Sequence, residues 1–406
     1  MAPKQQNRQY ELILLGATGY TGALTADHIA RHLPTNLRWA IAGRSRAKLE
    51  DLAAKLQKIE PNRVQPEIEV VLFDRQDKLD EVVRKAQICI SVVTYCHVGD
   101  QVVKACVENG TDYVDTAGGV VQFGRWFSQY HEKAKAAGVA LIHACGAYSA
   151  PHDLLAWLAV RELKREANLP TKEVILAVKQ MSMDPSGGTV ESMFSKSKVD
   201  SNNPTDSDDP WFLSPTQGTA IPKTTNMLGV REVPYLGLLS AATYGARQDR
   251  AIVHRTWGLL DNGQDYGVNF RYSEYASVSS TLHAVGKVLS GLFLGLFLSL
   301  GPLARLFLPR EGEGPDLVEH GKAVSELEAV ALADGRDDKK AVARFRFPGG
   351  PYYVTAAALA QGAASLLYKR ELEGGYQGGN LTPACLGDDF VDRLRSVGTD
   401  IEVKIL

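Results

Sequence analysis

The chain has 406 residues, of which 45% are hydrophobic and 23% charged, and its formal net charge at pH 7 is −2. At about 100–200 residues per domain, this length predicts two domains with ample apolar material for their cores. A balanced charge without a long basic run excludes nucleic acid as a partner. The five cysteines show no paired spacing, which predicts reduced thiols in an intracellular protein and no metal site. The polar amino-terminal segment has no secretion signal, so a cytoplasmic location is expected.

Short apolar strands alternate with amphipathic helices over roughly the first 145 residues. The predicted strands are 10–15, 37–42, 68–73, 87–93, 112–115 and 139–143, and the predicted helices are 19–33, 46–59, 99–108 and 123–137. Six strands separated by helices are typical of a doubly wound α/β fold with a parallel sheet.

After Pro151 the pattern becomes mixed. We predict strands at 174–181, 254–260 and 266–274, a helix at 353–368 and a last helix opened by Thr382 and Pro383. A stretch rich in Ser, Asp, Pro and Thr at 199–226 is predicted to be a long loop of the kind that forms lids or binding segments. The second half is therefore predicted to be a second α/β domain with an antiparallel component.

Three glycines follow the first strand where the first helix begins. Gly16 lets the strand turn sharply, Gly19 lets the backbone approach a pyrophosphate, and Gly22 allows the helix to pack closely on the strand. The free N–H groups of the helix start, together with its partial positive charge, attract phosphate. A tight turn in a ligand-free α/β domain is the alternative. The residues expected to bind a dinucleotide here are Gly16, Thr18, Gly19, Tyr20, Thr21 and Gly22.

The end of the second strand predicts which dinucleotide binds. NAD sites usually have Asp or Glu there, and its carboxylate holds the ribose 2′-hydroxyl. This chain has Arg44 and Ser45 instead, and a guanidinium and a hydroxyl suit a 2′-phosphate. NADP(H) is therefore the expected cofactor. The alternative is that Arg44 and Arg46 are only solvated surface charges.

Three further residues are expected to contact the cofactor. Asp74 follows the third strand, where it either contacts the adenine or caps the next helix. Val93 and Thr94 close the fourth strand, which places them on the nicotinamide side of the expected crevice.

Motifs distributed along nearly the whole chain resemble one family of oxidoreductases. The matching segments are GATGYTG at 16–22, AGRS at 42–45, VVKACVENGTDYVDTAG at 102–118, ACGAYSAPHDL at 144–154, PSGGT at 185–189, GEGP at 312–315 and GNLTPACLGDDFVDRL at 379–394. In combination they resemble the saccharopine dehydrogenase-like oxidoreductases, which include the trans-acting enoyl reductases of bacterial and fungal lipid and polyketide pathways.

The resemblance implies three regions. They are an NADP-binding Rossmann domain at 1–150, an α/β domain for substrate binding and oligomerisation at 151–350, and C-terminal helices at 351–406 that pack back on the first domain. The chain departs from the family pattern at Gly119, where the family usually has Glu, and around 94–97 and 147–153. Because these positions border the expected crevice, they indicate a substrate different from that of better-known members.

Reduction of a double bond also needs a proton donor, and three side chains near the predicted strand ends qualify. The Tyr148 hydroxyl can donate to a developing enolate, and His152 suits proton transfer near neutral pH. Tyr95 is the third candidate, with packing or stacking as its alternative role. For His152 the alternative is a structural place in the first turn of the helix that begins near Pro151.

Two other functions stay open at this level. Glycine turns of this type also occur in semialdehyde dehydrogenases, and Cys145 lies about where those enzymes have a cysteine nucleophile, although its surroundings do not match. A small buried thiol is the simpler interpretation of Cys145. The altered crevice residues also leave open a non-catalytic nucleotide-binding scaffold at a lipid surface.

Residues 288–304 contain no charged residue and are flanked by Lys287 and Arg305. This length is at the short end of the about 17–25 residues that span a bilayer. Three interpretations stay open: a buried or dimer-forming helix, an interfacial anchor on a membrane or lipid droplet, and a true span.

Together these features predict an NADPH-dependent reductase of an activated C=C (enoyl) or C=N bond in an apolar, lipid- or polyketide-like substrate. The expected partners are that small molecule, a polyketide synthase, a second copy of the chain in a homodimer, and a membrane or lipid droplet contacted peripherally.

Overall fold

The computed structural model describes residues 8–73, 75–182, 184–202, 209–335 and 339–406. Within this part of the chain, the strands form two seven-stranded sheets. Every pairing in the first sheet is parallel, whereas the second sheet is mixed. The prediction of an α/β fold with a Rossmann-type parallel sheet and a second α/β domain is therefore confirmed.

The first sheet has the strand order β13-β6-β5-β4-β1-β2-β3. Its strands are β1 (Tyr10–Leu15), β2 (Trp39–Gly43), β3 (Glu67–Val70), β4 (Ala86–Ser91), β5 (Asp112–Asp115), β6 (Ala140–Ile142) and the late β13 (Gly379–Leu381). The helices between them are α1 (Tyr20–His32), α2 (Arg46–Ile59), α3 (Gln76–Val83), α4 (Tyr95–Asn109) and α5 (Val120–Ala137). The order reverses between β1 and β4, and a crevice opens outside the carboxyl ends of the strands at such a point.

Burial explains where the strands of the first sheet form, and glycines explain where two of its helices end. β1, β2 and β4 are almost entirely buried because helices cover both faces of the sheet. α4 and α5 each end at a glycine in the left-handed region, Gly110 and Gly138. A residue without Cβ adopts that conformation without strain, so glycine stops a helix there.

The second sheet has the order β14-β12-β11-β7-β10-β9-β8. Its strands are β7 (Thr171–Gln180), β8 (Val230–Val233), β9 (Gly237–Ser240), β10 (Arg271–Ser277), β11 (Val324–Ala333), β12 (Lys340–Pro348) and β14 (Asp400–Ile405). The remaining helices are α6 (Ala150–Ala167), α7 (Gly187–Asn202), α8 (Ala246–Leu259), α9 (Thr281–Ser299), α10 (Pro302–Arg305), α11 (Leu317–Lys322), α12 (Pro351–Tyr368) and α13 (Gly387–Ser396). Buried α6 packs on this sheet.

The C-terminal region contributes to both sheets. α12 packs on α1, and β13 pairs with β6 in the first sheet. β14 then pairs with β12 at the edge of the second sheet. The two sheets are therefore joined by the last segment of the chain as well as by α6.

The structure corrects several predicted elements. Residues 254–259, predicted as a strand, lie in α8, and residues 266–270 precede β10 rather than belonging to it. The loop prediction at 199–226 overlaps the end of α7, and its positions 203–208 lie outside the described residues. Thr382 and Pro383 open a short 3-10 turn, Pro383–Leu386, and α13 follows it.

Candidate active site

The glycine turn has the predicted shape. Gly16 has φ +83°, and a Cβ on Gly22 would lie 2.2 Å from the Gly16 carbonyl oxygen, so only glycine fits there. The Gly19 N–H bonds back to the Gly16 carbonyl at 3.1 Å. Gly19 caps α1 without a side-chain hydrogen bond, so the first-turn N–H groups have no capping partner. An open cradle of donors of this kind fits the phosphates of a dinucleotide.

Arg44 follows β2 at the edge of this cradle. Its guanidinium makes an ion pair with Glu311, at 2.5 Å from Nη2 to Oε1. Ser45 caps α2 and accepts from the Lys48 N–H at 3.5 Å, while Arg46 lies 3.8 Å from Glu50 on the same helix. Asp74 lies outside the described residues. Contacts of Arg44, Ser45 and Asp74 with a cofactor stay predictions.

A cavity of about 360 Å³ lies between the two sheets, at the carboxyl ends of the first-sheet strands. It is lined by Thr21, 92–95, 116–120, Ala147, Tyr148, Ser182, 184–186, Gly188, Thr189, Ser192, Met193, Tyr244, Gly245, Arg247, Gln248, Pro351, Tyr352 and Thr355. The predicted nicotinamide neighbours Val93 and Thr94 are among these residues. The cavity therefore joins the predicted cofactor crevice to side chains of the second half of the chain.

Six helices begin at the wall of this cavity. The lining residues at or next to their first turns are Thr21 for α1, Thr94 for α4, Gly119 for α5, Gly188 for α7, Gly245 for α8 and Pro351 for α12. Each helix start carries a partial positive charge. Their convergence favours anionic groups, which suits a dinucleotide and the negative oxygen that develops during reduction of a conjugated double bond.

Two of the three predicted proton donors line the cavity. Burial raises the pKa of Tyr95 and of Tyr148, so both hydroxyls stay protonated at neutral pH. The Tyr95 hydroxyl is buried without a hydrogen-bond partner among the described residues. Tyr148 lies edge-on to Tyr244, with ring centroids 5.6 Å apart, and burial raises the pKa of Tyr244 to about 12. These hydroxyls can donate a proton to a bound substrate.

The structure does not bring His152 to the cavity wall. Its ring is fully buried in the first turn of α6, where Nδ1 accepts from the Ser149 N–H at 3.3 Å. Its Nε2 lies 3.7 Å from carboxylate oxygens of both Asp249 and Glu274. Burial lowers the pKa of His152. Asp249 of α8 and Glu274 of β10 enclose the His152 ring, so the geometry does not bring it to a substrate in this cavity, and its role as a proton donor stays a prediction.

Cys145 is also remote from the cavity lining. Its thiol is buried and donates to the Ala358 carbonyl at 3.4 Å, and burial raises its pKa. A nucleophilic cysteine needs an accessible thiolate. The geometry therefore favours a structural thiol over a semialdehyde dehydrogenase nucleophile.

Several lining residues could not be assigned from the sequence. Tyr352 at the start of α12 accepts from the Ser186 N–H at 2.5 Å, which ties α12 to the segment before α7. Gln248 accepts from the Gly119 N–H at 2.8 Å. The available signal for Tyr352 was the Gly-Gly-Pro sequence at 349–351, which is typical of a helix start.

We call residues 306–316, which connect α10 to α11, the strap. The Tyr20 hydroxyl donates to the Pro315 carbonyl at 2.8 Å, and the Gly187 N–H donates to the Glu313 carbonyl at 2.9 Å. The strap therefore lies against both the glycine turn and the start of α7. A second cavity, of about 390 Å³, borders it and shares Asp184 with the first.

Comparisons with known proteins agree with this geometry. Residues 12–142 match the family model of the saccharopine dehydrogenase NADP binding domain. A Mycobacterium tuberculosis protein provisionally named a trans-acting enoyl reductase is 29% identical over 98% of both chains. The trans-acting enoyl reductase of Mycobacterium ulcerans is 28% identical over 98% of this chain and 99% of its own.

Among solved structures, apo saccharopine dehydrogenase (L-Glu forming) from Saccharomyces cerevisiae has a similar fold. Its TM-score is 0.56 at 13% identity, over 98% of this chain and 100% of that one. Residues 12–142 are therefore similar to the NADP binding domain of saccharopine dehydrogenase, which supports an NADP-dependent oxidoreductase. The yeast structure shows a shared fold. Over nearly its whole length, the chain is similar to the mycobacterial trans-acting enoyl reductases.

Proposed function

We propose that this protein is an NADPH-dependent reductase of an activated C=C (enoyl) bond, or of a C=N bond, in an apolar lipid- or polyketide-like substrate. The observation that carries the proposal is the cavity at the carboxyl ends of β1 and β4, where the glycine cradle meets a wall of tyrosines. The names of the mycobacterial relatives support an enoyl substrate and action in trans with another enzyme. As that enzyme we propose a polyketide synthase.

The residues of this chain divide into two groups of roles. The cradle at 16–22, with Arg44 and Ser45, would hold the cofactor, which supplies a hydride when bound. Tyr148 and Tyr95 would each offer a protonated hydroxyl to the substrate. The converging helix starts would stabilise the negative oxygen of a conjugated carbonyl, and the largely apolar wall would exclude water.

Turnover on a defined panel tests this proposal. Oxidation of NADPH would be followed with enoyl thioesters, enones and imines of increasing chain length. We expect enoyl thioesters to react, and Tyr148→Phe to lower kcat by about 10²–10⁴-fold while NADPH still binds. The matched control is Tyr130→Phe, because Tyr130 lies outside the cavity on α5 and bonds to Asp100 at 3.3 Å.

A non-catalytic nucleotide-binding scaffold is the alternative that would contradict the proposed reductase activity. It predicts NADPH binding without turnover of any member of the panel, with and without a polyketide synthase present. Retention of activity in Cys145→Ser would remove the semialdehyde dehydrogenase as an explanation of any turnover.

We further propose that the protein lies peripherally on a cytoplasmic membrane or lipid-droplet surface through α9 and α10. By length and composition α9 is apolar enough to cross a bilayer, yet it leaves β10 and returns through the strap to α11 and β11 of the same sheet. Both ends therefore stay on one side, which favours a helix lying in the interface. Leu282 is 81% exposed and Phe307 is 79% exposed.

Flotation with phospholipid vesicles tests this location. We expect the wild type to float with the vesicles and the double variant Leu292→Glu, Leu296→Glu to remain in the soluble fraction, since a charge is costly in the apolar phase. Met227→Glu, Leu228→Glu is the control, because it removes two exposed apolar side chains elsewhere. Equal flotation of both double variants would contradict the proposal, and size-exclusion chromatography would then show whether α9 forms a homodimer.

A further inference from the structure

The strap places an acidic side chain on the residue expected to recognise NADP. Glu311 Oε1 lies 2.5 Å from Arg44 Nη2. The Arg44 and Glu311 side chains are 64% and 74% exposed, so water reaches both. Among the described residues, Glu311 is the one ion-pair partner of Arg44 within reach. The guanidinium is therefore engaged by an anion of the protein itself.

The strap backbone is held on both sides of Gly312, and the backbone of Arg310 and Glu311 packs on Gly187, where a Cβ would lie 1.9 Å from the Arg310 carbonyl oxygen. Tyr20, Gly187 and the packing of Gly314 on the Tyr20 ring hold residues 313–315, since a Cβ on Gly314 would lie 2.5 Å from that ring. Between this held part and Glu311 lies Gly312, which has φ +90° and nothing within 4 Å of its Cβ position. A bend at Gly312 can therefore move Glu311 while the Tyr20–Pro315 and Gly187–Glu313 hydrogen bonds stay in place, but it opens the turn that the Glu313 N–H and the Arg310 carbonyl close at 2.9 Å.

A carboxylate and a 2′-phosphate compete for the same guanidinium. An exposed ion pair is worth at most about 1 kcal/mol because water screens it. A phosphate monoester carries nearly twice the charge of a carboxylate, and its oxygens match the two N–H groups of the guanidinium. The phosphate therefore replaces the carboxylate, whereas the 2′-hydroxyl of NADH has no charge with which to do so.

We propose that Glu311 is a specificity-determining residue that competes for Arg44, so that only a ligand with a 2′-phosphate displaces it and opens the turn at 310–313 of the strap. The proposal rests on NADP binding but not on reductase activity. A protein that binds NADPH without turnover would still show the effect, so failure of the proposed reaction and failure of this inference are distinguishable.

Hydrogen–deuterium exchange of the strap, together with calorimetric titration, tests the proposal on the full chain. We expect NADPH and 2′,5′-ADP to raise amide exchange in the turn at 310–313 several-fold, since the Glu313 N–H loses its Arg310 acceptor, and NADH and 5′-ADP to leave it unchanged. In Glu311→Gln, exchange should be high without any ligand. Affinity for NADPH should rise about 2–5-fold in that variant, which corresponds to loss of an exposed ion pair, while NADH affinity stays the same.

Glu313→Gln is the matched control. Glu313 is a neighbouring strap acid whose carboxylate accepts from the Arg310 N–H at 2.8 Å, and within the described part of the chain Arg44 pairs with Glu311 instead. We expect its NADPH affinity and its response to the 2′-phosphate to equal those of the wild type. The proposal is overturned if NADH or 5′-ADP frees the strap, if NADPH protects it, or if Glu311→Gln behaves like Glu313→Gln.

Discussion

Arg44 carries the prediction of cofactor choice at the scale of single residues. The substitution Arg44→Asp places a negative charge where a 2′-phosphate is expected. Loss of a charge-assisted hydrogen bond costs about 1.5–3 kcal/mol, so NADPH affinity should fall about 10–100-fold while NADH affinity changes little. Fluorescence titration with both cofactors measures this. Arg46→Asp is the control, because Arg46 pairs with Glu50 on its own helix, and equal losses for both cofactors would contradict the assignment.

Gly22 tests the shape of the cradle. In Gly22→Ala the new methyl would lie 2.2 Å from a backbone oxygen of Gly16, which side-chain motion cannot relieve. Overpacking of this kind costs about 1–3 kcal/mol of unfolding free energy, and NADPH affinity should fall as the turn shifts. In Gly286→Ala, nothing lies within 4 Å of the new methyl on α9, so stability should stay or rise slightly. Urea unfolding of both variants would show the contrast, and equal stability would contradict it.

At the scale of single residues, the sequence predicts those site residues whose roles depend on positions nearby in the chain. The cradle glycines and Val93 were found because a strand, a turn and a helix start follow one another in the chain. Tyr352 and Glu311 reach the same region from more than 200 residues further along the sequence, and no local pattern marks them. The burial of His152 away from the cavity wall could not be predicted, because a helix start carries the same residue types whether it faces a cavity or the core.

Arg255 shows how the late strand β13 is attached at the scale of elements. Its buried guanidinium donates to the carbonyls of Asn380 and Leu213, at 2.6 Å each, and lies 3.8 Å from the centre of the Phe127 ring. Burial lowers the pKa of Arg255 to about 10, which still leaves it charged at neutral pH. The side chain therefore links α8, the segment between α7 and β8 that contains Leu213, and β13.

Replacing Arg255 by the shorter lysine should weaken the attachment of β13. Arg255→Lys keeps the charge but loses the planar fork, so we expect a loss of about 2–4 kcal/mol in unfolding free energy. Arg165→Lys, on the exposed surface of α6, is the control and should cost less than about 1 kcal/mol. Chemical denaturation gives both values. Similar stability of the two variants would mean that β13 is held mainly by its pairing with β6.

Elements of the first sheet could be predicted because each strand is short, apolar and bounded by a helix signal. The helix α8 could not be predicted from the sequence, because its residues 251–259 are buried and so show no polar face. A short buried apolar run has the same pattern in a strand and in a helix. α9 shows the opposite case: its apolar run was evident, but only the structure shows that its side chains face outwards.

At the scale of the whole molecule, the C-terminal region unites the two sheets. The resemblance implied that residues 351–406 return to the first domain, and α12 and β13 lie there, while β14 completes the second sheet. Long-range strand pairing of this kind leaves no periodic signal in the sequence, because the register depends on partners distant in the chain. From this region, the start of α12 lines the cavity through Pro351, Tyr352 and Thr355.

The contact between α1 and α12 makes the stability of the folded molecule depend on pH through His28. This residue is buried, with Nε2 3.2 Å from Gln361 Nε2. Burial and the nearby His32 lower the pKa of His28 to about 3. The unfolded chain takes up a proton near pH 6.5, whereas the folded chain does not, so the stability that neutral His28 contributes is present above that pH and is lost as pH falls.

Comparison with His28→Gln isolates this contribution, since other titrating groups are shared by both proteins. At about pH 7 the variant should be slightly less stable, because the amide fills the site imperfectly. As pH falls from about 6 to about 5, the wild type should lose up to about 1.4 kcal/mol more per pH unit than the variant, so the two curves converge or cross. Urea unfolding across this range measures the difference. Parallel curves would mean that the folded protein admits a proton to His28, and that α1 and α12 separate more readily than their packing indicates.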